Sequence, residues 1–140
     1  MDGLSQREIA KAVGVSQPTV SEWLSLAGVA PGMRAGPFET LLALCIGEMT
    51  KHGVSGPEAA SVIAQSRSEV RWLVAGEGRT CWLCLWQNAA GEITAFTACL
   101  SQEHLNSVLE SRPVSRIIVL HEIAARAAER LASLQEAANA

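Results

Sequence analysis

The sequence lacks the marks of several large protein classes. No apolar run approaches the roughly 20 residues that a bilayer-spanning helix needs, so no membrane segment is expected. The chain opens directly on a capped helical pattern, which predicts no signal peptide, a cytoplasmic protein and reduced cysteines. It has no glycine-rich phosphate loop, and none of the 3 histidines has a serine, cysteine or carboxylate partner arranged by spacing. Catalytic residues, an enzyme activity and a cofactor are therefore not expected. Positive charge is also scarce: 11 Lys and Arg stand against 14 Asp and Glu, a net charge of −3. Phosphate neutralisation supplies most non-specific affinity for DNA. A chain so composed would bind DNA weakly as a single copy and would need two copies on two half-sites.

What is present is a folded chain. Its 49% hydrophobic and 18% charged residues exclude disorder, and 140 residues suffice for one domain or two very small ones. The densest signal is LSQREIAKAVGVSQPTVSEWLSL, Leu4 to Leu26. Ser5 and Glu8 have capping-box spacing, and Leu4 and Ile9 can staple across the cap. Ile9, Ala10 and Val13 form a helical stripe that Gly14 ends. Ser16 caps a second helix with Pro18 in its first turn, where a missing N–H costs nothing. Val20, Trp23 and Leu24 point inward, leaving Gln17, Thr19, Ser21, Glu22 and Ser25 outside. Two short helices around a tight turn, the second with small polar groups outside, form a helix-turn-helix whose second helix can enter a major groove.

Gly28 to Phe38, rich in glycine and proline, reads as a loop or a short β-wing, with Arg34 at its middle as a phosphate contact. Helical spacing returns from Glu39 to His52, and Ser55, Pro57 and Glu58 start a further short helix to about Ser66. REIAKAVGVSQPTV, the Gly28-Val29 exit, Arg34 and the Gly53-Val54-Ser55 junction together resemble the N-terminal winged-helix domain of MerR-type transcriptional regulators, over residues 3 to 66. The resemblance implies a winged helix-turn-helix that binds double-stranded DNA, and a dimerising C-terminal helix pair. That family has an arginine and paired tyrosines where this chain has Ser21, Glu22 and Trp23. GVSQPTVSEWL also occurs in phage repressor-like and transposase helix-turn-helices, which leaves a prophage or mobile-element repressor as an alternative.

The second half reads as a β-β-α-β-α unit. RTCWLCLWQ and EITAFTACL are strand-like runs joined by Asn88-Ala89-Ala90-Gly91. Their pairing places Cys81, Leu83 and Leu85 with Thr94, Phe96 and Ala98, and Trp82, Cys84 and Trp86 with Ile93, Ala95 and Thr97. The tryptophan face is expected to meet a second subunit, the N-terminal domain or a ligand. Ser101 caps another helix, RIIVLH adds a third strand, and Glu122 to Ala138 is a long alanine-rich helix. Its stripe of Ala124, Ala127, Leu131, Leu134 and Ala138 fits either packing on its own sheet or a dimerising helix pair.

Cys81-x-x-Cys84, with Cys99, His104 or His121, tempts as a metal or redox site. Residues three apart on a strand face opposite ways, however, so buried structural cysteines and no metal are expected. The expected fold is α+β, with a winged helix-turn-helix over residues 1–68 and an α/β dimerisation or effector unit over 69–140. The expected function is a sequence-specific DNA-binding regulator, a dimeric repressor. Gln17, Thr19, Ser21 and Glu22 would lie at base edges beside Ser16 and Pro18, and Arg7, Lys11 and Arg34 on phosphates. A ligand- or metal-responsive sensor, and a protein-interaction module such as an antitoxin, are the alternatives.

Overall fold

A computed structural model describes residues 3–139. The helices are α1 (Gln6–Val13), α2 (Gln17–Leu26), α3 (Pro37–Lys51), α4 (Gly56–Gln65) and α5 (Arg67–Val74), then α6 (Gln102–Ser111) and α7 (Leu120–Ala138). Three strands, β1 (Trp82–Gln87), β2 (Ile93–Cys99) and β3 (Arg116–Val119), form one antiparallel sheet in the order β2-β1-β3. The class is α+β, and the second half runs β-β-α-β-α.

Local chemistry sets the helix starts. The hydroxyls of Ser5, Ser16, Ser55 and Ser101 each accept from the backbone N–H three residues on, satisfying donors that a first turn leaves unpaired. Gly14 ends α1 at φ +82°, a left-handed conformation that other residues adopt only with strain. Glu69 to Ala75, a short apolar segment whose sequence fits a strand or a helix end, falls mostly in the helix α5, with Val70 and Leu73 as its buried pair.

One cluster of buried side chains joins the two halves. Trp23, Leu42, Met49 and Ile63 pack in it with Leu83, Leu85, Ile118, Leu120 and Ile123, so the core crosses position 68 without a break. Most of the α7 stripe packs within the chain, Ala138 alone of its members being exposed. Ala124 and Ala127 are buried against this core, Leu131 and Leu134 pack on it, and α3 and α7 touch along their length. Arg130 also donates to the carbonyl of Ala12, near the C-terminal end of α1. The C-terminal helix thus buttresses the helix-turn-helix.

Other expectations need correction. The tryptophan face is covered by the chain's own α6. Leu105 and Val108 pack with Cys84, Cys99, Trp82 and Trp86, and the Trp86 indole donates to the carbonyl of Pro113. Ile93 lies on the opposite face, against the main core, because the register slips between Trp86 and Gln87. A bulge moves one residue to the other face, and alternation alone does not show where it falls. The segment read as loop or β-wing is a loop, whose one ladder contact is the isolated bridge between Leu4 and Ala35.

The approach of α1 to α3 is tight. Gly47 is buried in α3, and a Cβ there would lie 2.6 Å from Cγ1 of Val13. Valine is stiff at χ1 and cannot swing aside. Alanine is the better helix former by about 1 kcal/mol, yet overpacking costs about 1–3 kcal/mol. Gly47→Ala should therefore lower the urea midpoint. A midpoint that rises would mean that this contact gives way freely.

Candidate nucleic-acid interface

The helix-turn-helix is held from behind and open in front. Val20, Trp23 and Leu24 are buried on the inner side of α2, Val20 and Leu24 with Ile9 and Ala10 of α1. Trp23 reaches past this local cluster into the main core, its indole facing Gly56 at the start of α4. The outer side leaves Gln17, Pro18 and Glu22 exposed and Ser21 half-buried. Gln17, Pro18 and Ser21 line a shallow depression with Gln6 and Gly32, so two of the expected base-edge residues, Gln17 and Ser21, are brought together beside Pro18.

Other expected residues have internal tasks. Ser16 accepts from the Thr19 N–H, and the two hydroxyls lie 2.8 Å apart, so both groups are engaged in the cap. Arg7 and Lys11 are exposed on one side of α1 at i and i+4. Lys11 also borders a groove against Leu134 at the end of α7. Arg34 is exposed but folded back: it donates to the carbonyl of Gly3 at 3.0 Å and lies 3.8 Å from the Glu8 carboxylate. Both contacts use Nη1, which leaves its remaining donors exposed for a phosphate. Hydrogen bonds from the Ser5 side chain and then its backbone hold the Glu8 carboxyl below the usual carboxylate range, with the Arg34 charge a smaller cause.

Gln6 was missed by sequence reasoning. It is 3% exposed, and its amide donates to the carbonyls of Ala30 at 3.1 Å and Met33 at 3.0 Å. It thus ties the loop after α2 to the start of α1 and shapes the floor of the depression. A polar residue in a first helical turn reads as solvated, and only the loop folding back across 24 residues buries it. Gln6→Ala should cost about 1–3 kcal/mol, the loss of two part-buried hydrogen bonds at about 0.5–1.5 kcal/mol each. Amide exchange at 30–34 should accelerate; unchanged exchange there would show that the loop holds itself.

The cysteines are structural in setting. All four are free and buried. Burial first, with neighbouring charges second, pushes the thiols of Cys45 and Cys81 up to about 12 and Cys84 up to about 11, far from the thiolate form that binds metal or reacts. Among the described residues, no group of three His, Cys, Asp or Glu side chains is placed to hold a metal ion. No helix among them is long and apolar enough to cross a membrane.

A helix-turn-helix family model matches residues 2–30, the segment that carries this surface. The match supports a DNA-binding transcriptional regulator. It ends before the loop is complete and before α3, so it does not reach all the residues that carried the likeness to MerR-type proteins. No curated protein matches the chain.

Proposed function

We propose that the chain is a dimeric repressor that reads an operator in the major groove through residues 16–26, of a kind found in prophages or mobile elements and acting in the cytoplasm. The observation that carries this reading is the outer side of α2. Exposed Gln17, Pro18 and Glu22 and half-buried Ser21 stand over a buried row of Val20, Trp23 and Leu24, within the segment that the helix-turn-helix family matches. Such a helix presents side chains without giving up its own support.

Gln17, at the first position of α2, can hydrogen-bond N6 and N7 of adenine together. Ser21 lies one turn further along the same side, and Glu22 can accept from a cytosine amino group. Ser16 and Thr19 keep the first turn closed, and Pro18 stiffens it. Arg7, Lys11 and Arg34 supply the phosphate contacts, few enough that one copy binds weakly. A gel shift with DNA from upstream of the chain's own gene tests the reading: a discrete complex that unrelated DNA does not compete away is expected. Absence of any complex would favour a protein-interaction module.

A further inference from the structure

Among the described residues, β2 and β3 are the edge strands of the sheet, each paired on one side only, and β2, the longer, has an outer edge that can be traced residue by residue. On β1 the carbonyls of Cys81 and Leu85 accept from Leu120 and Ser115, on the β3 side. The backbone groups of Trp82, Cys84 and Trp86 therefore point the other way, to their partners Cys99, Thr97 and Ala95 on β2. By the same alternation, the N–H and C=O groups of Phe96 and Ala98 point outward from β2. From Ile93 to Gln102 the chain has no charge and no proline, so two of the devices that block an edge strand are missing, and the bulge lies at the Ile93 end, away from Phe96 and Ala98. Between this edge and α4 runs an open groove of about 350 Å³, lined in part by Ser61, Val62, Gln65 and Phe96.

We infer that β2 is the dimer interface, pairing antiparallel with β2 of a second copy about a two-fold axis at Thr97 to make one six-stranded sheet. The inference rests on the repressor reading, since it supplies the two-fold symmetry that paired half-sites require. The register follows from the outward groups: Phe96 exchanges backbone hydrogen bonds with Ala98 of the other copy, and Ala98 with its Phe96. A large side chain then meets a small one on the core face, and the groove beside α4 receives the second strand's side chains. On the other face two Thr97 side chains meet, a favourable β-branched pair.

Glu58 of α4 accepts from the Ile93 N–H at 2.6 Å and so stops the edge at that end. The bulge that puts Ile93 on the core face limits the regular pairing to residues 95–99. The alternative dimer surface, the α7 stripe, is already mostly packed within the chain.

Sedimentation of the full chain at 100 µM, with amide exchange followed over dilution, tests the inference. Wild type should sediment at twice the chain mass of 14.8 kDa. The Phe96 and Ala98 amides should exchange at least ~10-fold more slowly in the concentrated sample than in the dilute one. Thr97→Lys sets two like charges opposite one another, and Ala98→Pro removes an outward N–H that the single chain does not use. Both should run at the single-chain mass, and the lysine variant decides if the proline one fails to fold. A wild-type monomer, exchange at Phe96 and Ala98 that ignores concentration, or a dimer surviving both substitutions overturns the inference. A dimer lost in the variants but unable to shift upstream DNA as wild type would uphold the interface and sink the repressor reading alone.

Discussion

Trp23→Ala should destabilise the chain by about 3–5 kcal/mol, the usual cost of truncating a buried tryptophan. Against a total stability of about 5–15 kcal/mol for a domain, that is enough to leave a substantial fraction unfolded at moderate temperature. Trp23 is 4% exposed and belongs to the main core, whereas Val20 and Leu24 of the same helix belong to the smaller cluster under α1. It is thus the large side chain of α2 that reaches the main core, while Val20 and Leu24 meet α3 through Ala43. A cavity there weakens the body and loosens the reading helix together. Urea unfolding should show a lower midpoint, and Trp23→Phe should recover a large part of it. A loss of less than about 1 kcal/mol would mean that α2 is held by its local cluster alone.

The second large effect is on salt dependence. On the proposed reading, three cations per copy, Arg7, Lys11 and Arg34, give six phosphate contacts in a dimer. Each neutralised phosphate contributes about −0.9 to the slope of log affinity against log salt, so a slope of about −5 is expected. Affinity for the operator should then fall about 10³-fold between 50 and 200 mM salt. Arg34→Ala should make the slope shallower by about two units, one for each copy. It should also free the Glu8 carboxylate, which now lies 3.8 Å from the guanidinium. A slope unchanged by Arg34→Ala would place that side chain in its internal contact with Gly3 in the complex too. The shallow slope of a weakly charged interface is the counterpart of the chain's net charge of −3.

How much was legible in the sequence depends on the distance over which each feature is determined. Caps are decided within four residues, and Ser5, Ser16, Ser55 and Ser101 all cap as their spacing predicts. That Leu83 and Leu85 share a face with Phe96 and Ala98 follows from alternation, whereas the register, Leu83 with Ala98 and Leu85 with Phe96, does not follow from a loop of Asn88 to Gly91. Ile93 escaped because a bulge depends on how two strands fit. In α5 the eight residues of Arg67–Val74 offer one buried pair, too little to separate helix from strand. Gln6 and the tryptophan face were obscure for a different reason. Gln6 is buried by a loop 24 residues away, and Trp82 and Trp86 are covered by a helix whose path the strand pattern does not encode. The polar side of α2 was fully visible, because Val20, Trp23 and Leu24 mark its inner row; the internal engagement of Arg34 was not.

The central claim is that Gln17 reads a base in a specific operator. Anisotropy titration of a labelled duplex from upstream of the chain's own gene, at fixed salt and beside a scrambled duplex, tests it most directly. Wild type should prefer the upstream duplex, and Gln17→Ala should bind it about a hundredfold less tightly, since a dimer loses one bidentate base contact of about 1–3 kcal/mol in each copy, while binding the scrambled duplex unchanged. Equal affinity of wild type for the two duplexes, or of wild type and Gln17→Ala for the upstream one, would contradict the account.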